Sequence, residues 1–152
     1  MEGGLLVRIR AAEITDRQAV YALLCALENR ALPEAAFAET YARNLNEPLI
    51  RYLVAEEGGA VRGFVSLHMD RQLHHAALVG EIQELIVAEA WRSRGVGGAL
   101  LRAAQREARA TGCAHLQLSS GFARTRAHAF YERNGWAKDH FSFTYTQLQE
   151  DA

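Results

Sequence analysis

The chain has 152 residues, 49% of them apolar, enough for one continuous core, and a single domain spanning residues 1–152 is expected. Seventeen Lys plus Arg against eighteen Asp plus Glu give a net charge of -1, which excludes affinity for nucleic acid through overall charge. No apolar run approaches the roughly 18 residues of a membrane span, and Met1–Arg10 lacks a charged-then-apolar signal layout, so a soluble cytoplasmic protein without membrane partners is expected.

In chain order, Val7 to Arg10 reads as a short strand. Thr15-Asp16-Arg17-Gln18 has the pattern of a capping box, and Ala19, Val20, Leu23, Leu24 and Leu27 follow at helical spacing. Cys25, in that helix, and Cys113 lack metal or redox spacing and are expected to be buried free thiols. A second helix opens at Pro33 and runs to about Asn44. Tyr52 to Ala55 and Val61 to Leu67 form a hairpin about the Glu56-to-Gly59 turn, and His68 to Ala76 reads as a polar connection rich in histidine. Leu78 to Val87 is a third strand of that region, leading through a glycine-rich segment into a helix from about Val96 to Thr111 that Gly112 closes. His115 to Ser119 is a strand, Arg126 to Arg133 a helix ended by Gly135, and Phe141 to Thr146 alternates as a last strand. The order β, α, α, β, β, β, α, β, α, β implies a layered α/β or α+β domain.

Chemistry concentrates in Arg92-Ser93-Arg94-Gly95-Val96-Gly97-Gly98, where glycines stand at a strand-to-helix turn. Glycine lets backbone N–H groups approach an anion, and the helix end adds partial positive charge, so the segment suits a phosphate-bearing ligand; a plain tight turn is the alternative. No Lys-Ser or Lys-Thr follows, unlike a P-loop, and Leu100 stands where a dinucleotide fingerprint has its third glycine.

The spacing Arg92-x-x-Gly95-x-Gly97, preceded by Leu85-Ile86-Val87, resembles the pyrophosphate loop and central strand of the GNAT acetyltransferases. Ala127-x-x-Phe130-Tyr131-x-x-x-Gly135-Trp136 is similar to the family's second signature. The resemblance implies a mixed, mostly antiparallel central sheet splayed at the cofactor strand, with about four helices. It also implies acetyl-CoA as cosubstrate. Arg92 through Gly98 would hold the pyrophosphate, Leu85, Ile86 and Val87 the pantetheine arm, and Tyr131 would touch the cofactor and protonate the leaving thiolate. Glu81 stands at the interval before the loop where histone-type members keep a general base, acting directly or through water; Glu84, on the other face by strand alternation, is the second candidate. Both also read as ordinary salt-bridged strand carboxylates.

Gly80 to Leu85, His74-His75 and Arg124 further resemble the branch of this family that acetylates aminoalkylphosphonates. That likeness implies a small primary amine as partner, with His74, His75 and Glu84 as substrate-binding candidates and Arg124 as a cation for a phosphonate or a coenzyme A phosphate. Asp70-Arg71 and Thr125-Arg126 depart from the branch and bear on substrate range. His68, His74 and His75 are candidates for a divalent metal, or belong to a solvated loop. A homodimer is in keeping with family habit, with Phe141 to Thr146 as its candidate edge.

Overall fold

The computed structural model describes residues 6–146 and 148. They fall into two compact units, one ending at Leu118 and one beginning at Ser119.

The first unit is built on a five-stranded sheet whose spatial order follows the chain: β1 (Arg8–Ala11), β2 (Ile50–Glu57), β3 (Ala60–Gln72), β4 (Ala77–Val87) and β5 (Leu116–Leu118). The first three pairings are antiparallel, and β4 with β5 is parallel, since a helix carries the chain back between them. Helices α1 (Arg17–Glu28) and α2 (Glu34–Leu45) cover one face, where Val20, Leu24 and Tyr41 bury themselves with Val54, Phe64 and Ile86 of the sheet. Helix α3 (Val96–Thr111) covers the other, its Val96, Leu100, Leu101 and Ala104 almost fully buried at helical spacing. Gly112, at φ +100°, closes α3 in the left-handed conformation.

β5 pairs with β4 only from Gly80↔Leu116 to Ile82↔Leu118, whereas β4 runs on to Val87. The two strands therefore splay, leaving the far half of β4 without β5 alongside.

Three expectations change. Thr15 does not cap α1; the chain enters through a tight turn at Ile14–Asp16, where the Asp16 carboxylate accepts the Glu13 N–H at 2.8 Å and pairs with Arg10 at 2.7 and 2.9 Å. Asp16 outcompetes Thr15 because its charge also neutralises a half-buried guanidinium. His68 to Gln72 is not a connection but the second half of β3, held in register with Ala77 to Glu81, so that only a turn at Leu73–His75 separates the strands. Polar alternation there reflects a strand leaving the core.

The second unit contains α4 (Thr125–Arg133), ended by Gly135 at φ +90°. Phe141 to Thr146 has no regular structure, and Phe141 and Phe143 are exposed. Alternation favours a strand only where one face is covered, and these rings face solvent.

Candidate active site

β4 carries an irregularity that decides where its carboxylates point. Ser66 pairs with Glu84 and Leu67 with Ile82, so Gln83 is an extra residue in β4, a bulge. Simple alternation puts Glu81 and Glu84 on opposite faces; the bulge resets the alternation and brings both to the α1–α2 face. Their ladder partners His68 and Ser66 lie two residues apart on β3, hence on one face. Ser66, fully buried, secures the bulge: its hydroxyl accepts the Glu84 N–H at 2.9 Å and donates to the Glu84 carboxylate. Buried hydroxyl and displaced amide thus satisfy each other.

A cleft of about 370 Å³ opens beside this bulge, between α1, α2 and the sheet. Its polar lining comprises Glu28, Thr40, Tyr41, Asn44, Tyr52, His68, Gln83 and Glu84, and no Lys or Arg is among the described residues that line it. Asn44 Nδ2 donates to the Tyr52 hydroxyl at 2.6 Å, and the Tyr52 ring lies 6.3 Å from that of His68. Burial raises the Tyr52 phenol above its ordinary value, against the Asn44 hydrogen bond. Burial likewise pushes the His68 imidazole down, opposed by the charges of Glu84 and then Glu81. Glu81 does not line the cleft; it stands across the ladder from His68, its carboxylate accepting from Gln83 Nε2 at 3.2 Å.

Beyond the splayed end of β4, Glu89–Trp91 forms a turn and the Arg92 guanidinium donates to the Val87 carbonyl at 3.1 Å. Ser93 at φ +63° and Gly95 at φ +85° bend the chain into α3. The first bond at the start of α3 runs from Ala99 N–H to Gly95 O at 3.1 Å, so the amides of Val96, Gly97 and Gly98 precede the helical ladder. Leu85, Ile86 and Val87 thus lead directly into an anion-receptive helix start. The Arg94 and Arg62 guanidinium carbons lie 4.8 and 5.0 Å from the Trp91 ring centroid, adding cationic character beside the loop.

The histidines divide. His68 belongs to the cleft, whereas the His74 ring lies 4.0 Å from that of His75, which lies 4.5 Å from that of His115. The trio His68, His74 and His75 is not assembled, and no cluster of three or more metal-ligating side chains forms among the described residues. Cys113 carries a thiol that burial holds above its ordinary value, unsuited to act as a thiolate.

In the second unit, Tyr131 sits on α4 with its ring 5.3 Å from Phe130 and 6.1 Å from Trp136. Burial raises its phenol, with Arg124 opposing, so it stays protonated at neutral pH as a proton donor must.

Residues 17–136 match the model of the Acetyltransferase (GNAT) family. The chain belongs to the GNAT family. The aminoalkylphosphonate N-acetyltransferase of Salmonella typhimurium is 43% identical over 136 residues, which cover 90% of this chain and 88% of the relative. A solved aminoglycoside N-acetyltransferase in complex with CoA superposes with a TM-score of 0.86 at 18% identity, covering 97% of this chain and 99% of that one. A transcriptional regulator from Bacillus halodurans does so with a TM-score of 0.85 at 21% identity, covering 92% and 99%. The last two share the fold. This GNAT chain is therefore an acetyltransferase, and members of its family use acetyl-CoA. No helix among the described residues is long and apolar enough to cross a membrane.

Sequence reading missed Ser66, Tyr52, Asn44 and His115 as parts of these sites. Only the bulge makes Ser66 and Glu84 partners, and one extra residue in a strand leaves no local signature.

Proposed function

We propose that this enzyme transfers the acetyl group of acetyl-CoA to the primary amine of a small aminoalkylphosphonate by direct attack in a ternary complex. The observation that carries the reading is the 43% identity, over nine-tenths of the chain, to a relative that bears this activity in its name. Arg92 to Gly98 cradle the pyrophosphate, Leu85 to Val87 align the pantetheine arm along the open half of β4, and Arg124 answers a phosphate or phosphonate.

A primary amine of pKa about 10.4 is neutral in only about one molecule in a thousand at pH 7, yet only that form attacks a thioester. Glu81 supplies the base function and Tyr131 returns a proton to the departing thiolate. Glu84 and the His74-His75 pair are assigned to the acceptor. Glu81→Gln and Tyr131→Phe are each expected to lower turnover about 10²- to 10⁴-fold. Thiol release from acetyl-CoA, measured with aminomethyl- and aminoethylphosphonate, tests this; two fully active variants would refute the assignment.

A second reading rests on the cleft itself. Glu28 and Glu84 line it without Lys or Arg among the described residues, a lining that suits a polycationic amine. Spermidine and an aminoglycoside therefore belong in the same panel, with and without a chelator to read any need for a divalent metal. Turnover dominated by those amines would select this reading over the phosphonate.

A further inference from the structure

We propose that His68 takes the ammonium proton of the acceptor and that Glu81 acts through it. The proposal rests on the acetyl-transfer reading of the same cleft and names the group that touches the amine. Three observations carry it. His68 lines the cleft, whereas Glu81 does not. The β3–β4 register sets His68 directly across from Glu81, the separation at which side chains of an antiparallel pair interact. The other carboxylate of this strip, Glu84, is already engaged by the Ser66 hydroxyl, which donates to it and accepts the Glu84 N–H.

The surroundings give His68 both properties of a proton acceptor. Half-burial against Tyr52 favours the neutral ring before reaction, and the charges of Glu84 and Glu81 stabilise the imidazolium once formed. The other polar or charged groups of the cleft are Glu28 from α1, Thr40, Tyr41 and Asn44 from α2, Tyr52 from β2 and Gln83 from β4.

Protons balance as follows. The acceptor R–NH₃⁺ gives one proton to an imidazole nitrogen, and the freed lone pair forms the C–N bond to the thioester carbonyl. On collapse the C–S bond breaks with its electron pair leaving on sulfur, and the thiolate takes a proton from Tyr131. The nitrogen sheds a second proton, which restores the phenol, and the imidazolium releases its own to solvent. One amide, one free thiol and one proton result.

The test compares His68→Asn, His68→Gln, Glu81→Gln and the Glu81→Gln/His68→Asn double variant in steady state, with thermal unfolding and acetyl-CoA affinity as checks on the fold. Both His68 variants are expected to lose about 10²-fold in kcat, with acetyl-CoA affinity unchanged and the double variant no worse than the poorer single. The wild-type profile falls as pH drops through the His68 pKa, below about 6.5, and the His68 variants lose that limb. Added imidazole restores part of the rate to His68→Asn and none to Glu81→Gln, which a merely structural role would not produce. If His68→Asn keeps its rate and acid limb while Glu81→Gln fails, Glu81 acts without His68 and the proposal is overturned with the acetyl-transfer reading intact. If Glu81→Gln is fully active, the base assignment falls as well.

Discussion

Adding one methyl group at Gly63 or at Gly80 is expected to give costs that run opposite to the raw distances. Neither glycine has a positive φ, so alanine incurs no backbone strain at either. A Cβ at Gly80 would press on the Leu116 Cδ2 and lie 3.0 Å from Leu67 Cδ1, both ends of side chains; Leu67 is fully buried, but Leu116, the nearer of the two, is only partly buried. A Cβ at Gly63 would lie 2.9 Å from Leu100 Cδ1, 3.4 Å from Val96 Cγ1 and 3.1 Å from the Ile86 carbonyl oxygen. Leu100 and Val96 are fully buried, and the Ile86 oxygen is backbone of the neighbouring strand, so β3 and β4 must part. Overpacking costs about 1–3 kcal/mol, and about 2–2.5 kcal/mol applies here because backbone, not only side chains, must move. Alanine recovers about 0.4–1 kcal/mol by restricting the unfolded chain, leaving a net loss of about 1–2 kcal/mol for Gly63→Ala. That corresponds to a fall of about 2–8 °C in Tm, while Gly80→Ala stays within about 1 kcal/mol of the parent. Because Ile86 and Val96 flank the glycine-rich loop assigned to the pyrophosphate, Gly63→Ala should also weaken acetyl-CoA binding several-fold. Thermal and urea unfolding of both variants, with acetyl-CoA titration, measure this. A Gly63→Ala protein as stable as its parent, or less destabilised than Gly80→Ala, would refute the packing argument.

Asp16→Asn should cost about 2–3 kcal/mol, below the full penalty of a broken buried pair because Arg10 keeps Glu56 at 2.7 Å. Arg10 holds the Asp16 carboxyl below its ordinary value despite burial, so its stabilisation is present above about pH 3.9 and is lost as pH falls through the folded value. The parent should therefore lose stability over that acid range in urea melts while Asp16→Asn changes less. Gly95→Ala meets no atom within 4 Å, so its cost is the left-handed backbone alone, at φ +85°. About 1–2 kcal/mol of preorganisation should be lost, a rise of about 5- to 30-fold in the acetyl-CoA Kd by calorimetry, with the amine KM little changed.

Long elements with an unbroken period were readable from residues alone. Val96 to Thr111 appears with the bounds its apolar spacing and Gly112 dictate, and the glycines at 95 to 98 stand at its start. Elements whose identity depends on a distant partner were not. His68 to Gln72 is polar enough to pass for a loop and is a strand because Ala77 to Glu81 offers a ladder to it. Phe141 to Thr146 alternates like a strand and has no regular structure. The same distinction holds in the candidate site. The loop is local and was legible; the joint face of Glu81, Glu84 and His68 depends on one unpaired residue, Gln83, and on a serine eighteen positions from the glutamate it serves.

The bulge at Gln83 also makes the length of this strand a carrier of chemical information. Deleting that single residue would set Glu81 and Glu84 two positions apart, still on one face by plain alternation, whereas keeping it and flattening the bulge would turn one of the two carboxylates toward α3. Comparison of GNAT chains across this stretch therefore depends on where a gap is opened. Two relatives, one with the bulge and one without, aligned with no gap can share a glutamate by column and present it to opposite sides of the sheet.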